Sequence, residues 1–334
     1  MSDGKHIPLL FRNVNVLTVQ TRLINAMCDT LCILGITGNL LGLFTFVSSR
    51  RSWHISSVYV CLATSSSITN LLCLIRYATI LHTTSRRILH ELVGHSWWAC
   101  KLYEFSFCFR VISAWITLFW MFERLICVSK KLQSFFDRWN LYKYKYIIPI
   151  MIGIIIVGCA VGPSVYMFQP QIRINQAIRM TTNSTKRYCG LHPNASTKWR
   201  QFFHEVRFGK NHYTIRCLFS ELIPTATIIL FNGCIILHLM KTYRRLHRAY
   251  GCKPRQKQSR TTSWMNIVLI LHSSLFLSSL FAHILGHFMT IEAHETWWVS
   301  LAILINCSLN FYIYCLSGKA FRNEIRRFIH RFEK

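Results

Sequence analysis

The chain has 334 residues, 52% of them hydrophobic, and its formal net charge is +27. The apolar residues are grouped in long runs separated by basic and polar stretches, and a helix needs about 20 apolar residues to cross a membrane. A soluble domain has no need of so many such runs. Beside them, the positive charge is typical of the loops of a membrane protein and argues against a nucleic-acid-binding protein.

Seven apolar runs follow one another along the chain, and each predicts a helix that crosses the membrane. They lie at about 23–48, 57–82, 100–128, 145–168, 213–241, 264–289 and 297–316. Seven crossings place the termini on opposite sides. The larger share of Lys and Arg in the inner segments predicts an extracellular N-terminus and a cytoplasmic C-terminus. The expected fold class is an all-α membrane protein with a seven-transmembrane helix bundle.

The predicted bundle occupies residues 23–317, between an extracellular segment, 1–22, and a cytoplasmic segment, 318–334. In the last of these, apolar residues such as Phe321 and Ile325 share one helix face and cations share the other. This pattern predicts a short amphipathic helix on the membrane surface. Its cations are expected to contact anionic membrane lipids.

Polar residues interrupt the first two spans. Asn39, which follows Gly38, and Ser66 are neutral groups that suit the packing core between helices. Arg76 lies farther along the second span, toward its outer end. A long cation in that position either extends to the membrane interface or faces a ligand, and the sequence leaves both roles open.

The third span begins at Cys100 and ends in the pair Glu123–Arg124. Arg110 lies in its middle among aromatic and aliphatic residues, where an arginine is costly unless it meets water or an acid. Glu104, almost two turns earlier on the same helix, is a candidate partner. The sequence leaves open whether Arg110 lines a ligand pocket or belongs to a structural ion pair.

A long loop, 169–212, follows the fourth span. It carries glycosylation sequons at Asn183 and Asn194, on either side of Cys189. Two sequons in one loop indicate an extracellular face. The loop is also basic and would attract an anionic ligand. Its cations are Arg173, Arg179, Lys186, Arg187, Lys198, Arg200, Arg207 and Lys210.

The fifth and sixth spans offer fewer signals. Pro224 lies inside the fifth span. His283 and His287 are one turn apart in the outer half of the sixth span. They either contact a ligand, with titration near neutral pH, or are ordinary interfacial histidines.

The seventh span carries a regular polar pattern. Asn306, Asn310 and Tyr314 recur every four residues, so they share one face of the helix. Polar groups on an apolar helix are costly when they face lipid. This face is therefore expected to pack inward against other helices.

The run Asn310-Phe311-Tyr312-Ile313-Tyr314 resembles the Asn-Pro-x-x-Tyr pattern in the last helix of rhodopsin-like G-protein-coupled receptors. Phenylalanine replaces the proline, as in some invertebrate neuropeptide receptors of the FMRFamide-receptor type. Further points of resemblance, in the expected order, are Asn39, Cys100, Glu123–Arg124, Cys189 and Pro224.

The chain departs from the family pattern in two further places. Ser66 stands where many members have an aspartate that helps to bind sodium, and a neutral serine does not supply that charge. The sixth span has Ser279-Leu280 where the family has a Cys-Trp-x-Pro turn, and a helix without proline loses its usual kink site. These differences mark a divergent member.

The resemblance implies a plasma-membrane receptor that transmits the binding of an extracellular peptide to a heterotrimeric G protein. It also implies a disulfide between Cys100 and Cys189. The residues implied in coupling are Glu123, Arg124, Asn310 and Tyr314, and those in the helix-packing core are Asn39, Ser66, Pro224 and Asn306. The candidate ligand-binding residues are Arg76, Glu104, Arg110, His283 and His287.

Charge limits the choice of peptide. FMRFamide-type ligands end in a cationic arginine and an amidated phenylalanine, whereas the outer surface of this chain is basic. A peptide with acidic residues or a free carboxylate suits that surface better. A receptor for a lipid or a small anionic ligand is the nearest alternative.

Other protein classes fit less well. His90 and His95 flank Glu91 in a stretch expected to be a loop. A zinc protease needs its two histidines four residues apart, on one face of a helix. These two are five residues apart, which would place them about 140° apart around a helix. A membrane transporter or channel is the alternative from another class, although paired intramembrane carboxylates for a proton relay are not apparent. No enzyme activity, cofactor, metal or nucleic acid is expected.

Overall fold

The computed structural model describes residues 7–48, 57–138, 147–174, 185–204, 209–250 and 297–317, with 267, 270–271, 273–282 and 284–285. At some positions, 7–21 and 314–317 among them, it describes the backbone alone. This part of the chain is mostly helical. The helices are α1 (Ile7–Ser48), α2 (Ser57–Leu81), α3 (Thr83–His95), α4 (Trp97–Phe105), α5 (Cys108–Val128), α6 (Lys130–Arg138), α7 (Ile147–Met167), α8 (Thr197–His204), α9 (His212–Cys217), α10 (Ile223–Tyr250), α11 (Ser273–Ala282) and α12 (Trp297–Ser317). The strands are β1 (Phe168–Ile174) and β2 (Thr185–Leu191).

Five helical stretches are long and apolar enough to cross a membrane. They are Arg22–Thr45, Val60–Leu81, Trp97–Ile126, Pro149–Met167 and His212–Thr242, and they fall in the first five predicted spans. Two shorter apolar stretches, Ser273–Ala282 and Trp298–Ile313, fall in the sixth and seventh. The predicted amphipathic segment, 318–334, lies outside the described residues.

The outward faces of these helices are apolar. In the most apolar stretch, Pro149–Met167, only 22% of the residues are buried. Large side chains on α7 therefore point away from the protein: Ile150, Met151, Ile154 and Ile155. A continuous apolar surface of this kind is unfavourable in water and favourable in lipid. The described helices are those expected of a membrane protein.

The expectation of an all-α fold is wrong in the long loop after the fourth span. Strands β1 and β2 pair there as an antiparallel hairpin, in which Pro170 faces Cys189. Two other expectations also need correction. The third span is divided into α4 and α5 by a short turn at Ser106–Phe107, and the stretch around His90, expected to be a loop, belongs to α3.

The hairpin is held against the ends of three helices. Lys101 of α4 donates to the carbonyls of Val165 and Phe168, both at 2.6 Å, and so caps the last turn of α7, where carbonyls lack helical partners. On α3, Gly94 lies against the backbone of Arg187 in β2, and a Cβ at that glycine would overlap it. This end of the bundle is called the hairpin end below.

Helix α1 packs closely against α2 and α12 because three of its residues, Gly35, Gly38 and Gly42, have no side chain. A Cβ on Gly38 would lie 2.7 Å from Phe311, and a Cβ on Gly42 would lie 2.8 Å from the same ring. Phe311 stands where the Asn-Pro-x-x-Tyr pattern that this run resembles has proline, and it is buried. Its ring therefore occupies the space that Gly38 and Gly42 leave.

A π-helical turn, Leu218–Leu222, joins α9 to α10. Pro224 follows it directly, has no N–H to donate, and would clash with the carbonyl four residues earlier in a regular α-helix. The wider π turn avoids this clash. It also frees the carbonyl of Phe219, which accepts the indole N–H of Trp115 at 2.8 Å.

Candidate functional site

The predicted disulfide is present. Cys100, at the start of α4, is bonded to Cys189 in β2, with Cα atoms 5.4 Å apart. The bond joins residues that are 89 positions apart in the chain. It therefore fixes the hairpin over the mouth of the third predicted span.

Arg110 forms a buried ion pair. Its Nε and Nη2 donate to the two carboxylate oxygens of Glu221 at 2.6 and 2.7 Å. The side chains of both residues are almost inaccessible, at 3% and 0% exposure. This geometry is the bidentate fork in which a guanidinium holds a carboxylate most firmly. Of the two roles that the sequence leaves open, Arg110 has the ion pair, and the expectation that Glu104 is its partner is wrong.

Glu221 belongs to the π turn and is missing from the sequence-based candidates. The sequence feature that could have identified it is a single carboxylate inside an apolar run, because a carboxylate in a membrane is costly unless it is paired. Ser279 of α11 also joins the pair: it donates to Glu221 at 3.0 Å and lies 3.2 Å from Nη2 of Arg110. The network thus connects α5, the π turn and α11.

Arg76 is also buried, with 7% of its surface exposed. Its Nη1 donates to the carbonyl of Tyr103 at 3.0 Å and to the hydroxyl of Ser106. Its Nε and Nη2 have no hydrogen-bond partner among the described residues. This side chain does not extend to the membrane interface, because its charged end lies between the helices.

Phe107 lies between two guanidinium groups. The Cζ atoms of Arg76 and Arg216 are each 3.6 Å from the centroid of its ring. Two guanidinium groups do not fit on one face of a ring at that distance, so they occupy opposite faces. Each makes a cation–π contact. Arg216, in α9, was not singled out from the sequence.

Glu104 is buried near both of these arginines. It is 6% exposed, and Arg216 and Arg76 lie close enough to interact electrostatically with its carboxyl group. The arginine cluster is defined here as Arg76, Arg110, Arg216, Glu104 and Glu221. Its three guanidinium groups face two carboxylates, so one positive charge has no counter-ion among the described residues.

A second polar group lies deeper in the bundle. Asn39 donates to the carbonyl of Cys307 at 3.2 Å, and Asn70 donates to Asn39 Oδ1 at 3.4 Å. Ser113 in turn donates to Asn70 Oδ1 at 2.6 Å. These bonds join α1, α2, α5 and α12 through neutral groups. Asn70 was not a candidate from the sequence. Ser66 was a candidate, and it is buried one turn earlier on α2.

The asparagines of α12 do face inward, as their spacing predicts. Asn306 is 0% exposed and Asn310 is 2% exposed. Neither amide has a hydrogen-bond partner within the described residues. The amide stripe is defined here as Asn39, Asn70, Ser113, Asn306 and Asn310.

Two of the implied coupling residues, Glu123 and Arg124, lie at the end of α5 opposite the hairpin. Glu123 and Arg124 are half-buried there, and the guanidinium carbon of Arg124 is 5.3 Å from the ring centre of Trp120. Tyr314 is in α12, but its side chain lies outside the described residues. The structure therefore places Arg124 at one end of the bundle and Arg76 and Arg216 toward the other, with Arg110 and Glu221 between them.

The remaining candidates are peripheral or outside the described residues. Asn194 is exposed in the turn that follows β2. His283, His287 and Asn183 are not described. The described residues contain no group of three or more His, Cys, Asp or Glu side chains able to hold a metal ion.

One histidine at the hairpin end has an altered acidity. Partial burial, and then the positive charge of Arg86, lower the pKa of His90 from its ordinary value. Its ring lies 6.4 Å from that of Tyr103. His90 therefore adds little positive charge near neutral pH, and the charge at this end comes from arginine and lysine.

Comparison with known proteins assigns no family. A scan against models of protein families finds no match. A search of curated proteins likewise finds no similar sequence.

Proposed function

We propose that this chain is a receptor of the rhodopsin-like G-protein-coupled type, with seven membrane-spanning helices, that transmits the binding of an extracellular peptide to a heterotrimeric G protein. The hairpin end faces the outside, and the end with Arg124 faces the cytoplasm. The peptide carries a carboxylate rather than a basic amidated end. No chemical reaction or cofactor is involved.

The observation that carries this proposal is the layout of residues 97–128. A disulfide to the hairpin lies at one end, Arg124 lies at the other, and the buried pair of Arg110 and Glu221 lies between them. A receptor needs an outer site, an inner site and a polar connection between helices that two arrangements can share. The buried network with Ser279 supplies such a connection.

The proposed mechanism is a shift of population between two helix arrangements. Helix α11 packs the buried ring of Phe276 into the core and makes polar contacts through hydroxyl groups: Ser279 bonds Glu221, and Ser273 accepts from Asn232 of α10 at 2.8 Å. The bond between the neutral groups is worth about 1 kcal/mol in net terms and the bond to the carboxylate about 1.5–3 kcal/mol, so α11 can exchange them without separating Arg110 from Glu221. A ligand that binds one arrangement better increases its population, and the G protein does the same from the other side.

The test is a signalling assay in cells that express the full chain. Three matched peptide sets are compared: one with acidic residues or free C-terminal carboxylates, one neutral, and one ending in Arg-Phe-amide. We expect G-protein activation by the carboxylate set. Silence across all three sets, with the protein verified at the cell surface and a known receptor responding in the same cells, would contradict a peptide receptor.

The inner site has its own test. Arg124→Ala is expected to abolish signalling while delivery to the surface stays normal, because Arg124 is the proposed contact with the G protein. Arg138→Ala, an exposed arginine of α6 at the same end, is the matched control and should signal normally. Full activity of the Arg124 variant would refute its assignment.

A receptor for a small anionic ligand is the second candidate, and the arginine cluster favours it. A buried positive charge without a counter-ion attracts any anion of suitable size. Small organic acids, applied in the same cell assay, test this candidate. Activation by them and not by peptides would change the ligand class and leave the coupling mechanism as proposed.

A further inference from the structure

We propose that the guanidinium of Arg76, on one face of Phe107, binds a carboxylate group of the ligand, and that the positive charge of Arg216, on the other face of the ring, favours its binding. This inference rests on the proposed function, since it identifies the group that the receptor's outer site recognises. The site lies at the hairpin end, among α2, the α4–α5 turn and α9. It is separate from the pair of Arg110 and Glu221, which already has its carboxylate.

The first argument for the carboxylate site is the geometry of Arg76. Arg110 holds Glu221 through its Nε and Nη2 atoms, the two nitrogens on one side of the guanidinium. In Arg76 the same two nitrogens are buried and have no hydrogen-bond partner among the described residues. Unpaired donors at this depth are costly, and a carboxylate is the group whose two oxygens match this fork. Arg76 is therefore prepared for a second pair of the kind that Arg110 makes.

The second argument is the net charge of the arginine cluster. The cluster has one more cation than anions among the described residues, and Arg76 and Arg216 repel each other across a single ring. A group with one negative charge neutralises the cluster. A phosphate dianion would leave it with an excess of negative charge, and burying uncompensated charge of either sign is unfavourable. A carboxylate is the anion that this arithmetic favours.

The neighbouring side chains indicate what the carboxylate is attached to. Tyr77 is 8% exposed, and the ring of Tyr103 lies 4.9 Å from the guanidinium carbon of Arg76. With Phe107 they form an aromatic surrounding for the two cations. An aromatic or aliphatic body beside the carboxylate suits this environment. A C-terminal aromatic residue of a peptide and a small aromatic acid share that chemistry.

The experiment measures binding without a G protein. The full chain is purified in nanodiscs of neutral lipid, and its thermal unfolding is followed with increasing N-acetylphenylalanine or with the corresponding amide as the matched neutral probe. A ligand that binds the native state raises the unfolding temperature in proportion to its occupancy. We expect the acid to raise that temperature and the amide to leave it unchanged.

Variants locate the effect. Arg76→Gln and Arg216→Gln should each weaken binding of the acid at least tenfold. Arg76→Lys should also weaken it, because lysine keeps the charge and loses the fork. Arg87→Gln is the control: this arginine of α3 is at the hairpin end with its side chain 83% exposed, and it should bind the acid normally.

A purely structural role for Arg76 predicts a different pattern. In that case Arg76→Gln would lower the unfolding temperature of the ligand-free protein and leave the rise produced by the acid intact, whereas a binding role predicts that this rise is lost. Glu205, Glu292 and Glu295, which lie outside the described residues, are acids of the predicted outer segments. Their replacement by glutamine should not weaken binding of the acid, and tighter binding would identify them as competitors for the same site.

The outcomes separate this inference from the proposed function. Equal stabilisation by acid and amide, or normal acid binding by both glutamine variants, would overturn the carboxylate site. Binding of the acid without G-protein activation by any carboxylate ligand would keep the site and refute the receptor. Activation of Arg76→Gln by a carboxylate peptide at the wild-type concentration would keep the receptor and refute the site. A cell assay with peptide and small-acid arms then distinguishes the two sources of the carboxylate.

Discussion

The arginine cluster and the amide stripe both place polar side chains among apolar helices, but they use different chemistry. In the cluster, the guanidinium of Arg110 and the carboxylate of Glu221 form an ion pair at 2.6 Å. In the stripe, Asn39 and Asn70 are neutral and meet at 3.4 Å. A buried charge without its partner is far more costly than an unmade neutral hydrogen bond. The cluster should therefore be rigid and specific, and the stripe able to rearrange.

This difference corresponds to the two tasks of the proposed receptor. Ligand recognition at the hairpin end needs fixed charges with a free donor pair, as Arg76 has. Transmission through the middle of the bundle needs groups that can exchange partners at little cost, as the amides of Asn306 and Asn310 can. Four substitutions test whether the two regions differ as this comparison states.

The largest effect is expected for Glu221→Gln. It leaves the buried charge of Arg110 without its counter-ion, which typically costs about 3–5 kcal/mol of unfolding free energy. Thermal and chemical unfolding in micelles, with surface expression in cells, measure the loss. The double variant R110M/E221M should recover most of it, because removing both charges of a buried pair is often neutral. A stable single variant would show that the cluster is not held by this pair.

Gly42→Ala tests the close packing that brings α1 against the amide stripe. The added Cβ would lie 2.8 Å from the ring of Phe311. Overpacking of this kind costs about 1–3 kcal/mol. Gly158→Ala in α7 is the matched control: its Cβ meets nothing within 4 Å, so alanine should stabilise the helix by about 1 kcal/mol. Equal melting temperatures for the two variants would contradict the packing of Phe311 on α1.

Asn70→Ala should cost less than the loss of Glu221. It removes hydrogen bonds with Asn39 and Ser113, which are neutral groups, and the net loss should be about 1–2 kcal/mol. The unfolding temperature is compared with that of Glu221→Gln under the same conditions. A loss as large as that of the charged variant would remove the distinction between cluster and stripe.

The smallest effect on stability is expected for Asn310→Leu. The amide is buried without a partner among the described residues, so an apolar side chain of similar size should leave the unfolding temperature unchanged or raise it. Signalling should nevertheless be lost, because the amide serves the active arrangement. A stable variant that still signals would remove Asn310 from the coupling residues.

Local patterns in the sequence predicted several features that the structure bears out. The apolar runs predict the long helices because a helix satisfies its backbone within one segment. The four-residue spacing of Asn306 and Asn310 predicts a shared inward face, and both side chains are buried. The disulfide, implied by resemblance, is also present. Each of these depends on short-range regularity or on a pattern that can be read along the chain.

The misses depend on contacts between distant segments. The partner of Arg110 is 111 positions away in the chain, and a π turn that no periodicity announces brings Glu221 toward it. Asn70, the partner of Asn39 on α2, was not a candidate, since which turn of α2 faces α1 depends on packing. The hairpin was not predicted, because its strands lie in a basic segment without a clear alternation of apolar and polar residues.

The sequence by itself determined that the chain forms apolar helices of membrane-spanning length, separated by basic segments, with charged residues that need partners. Only the tertiary structure decided which partners they have. Helix formation depends on each segment's own backbone bonds and side chains, whereas an ion pair depends on the rotation and height of two helices at once. For this reason the sequence shows where Arg76 and Arg110 lie along the chain. It does not show that Arg110 is paired with a carboxylate, whereas the Nε and Nη2 atoms of Arg76 have no hydrogen-bond partner among the described residues.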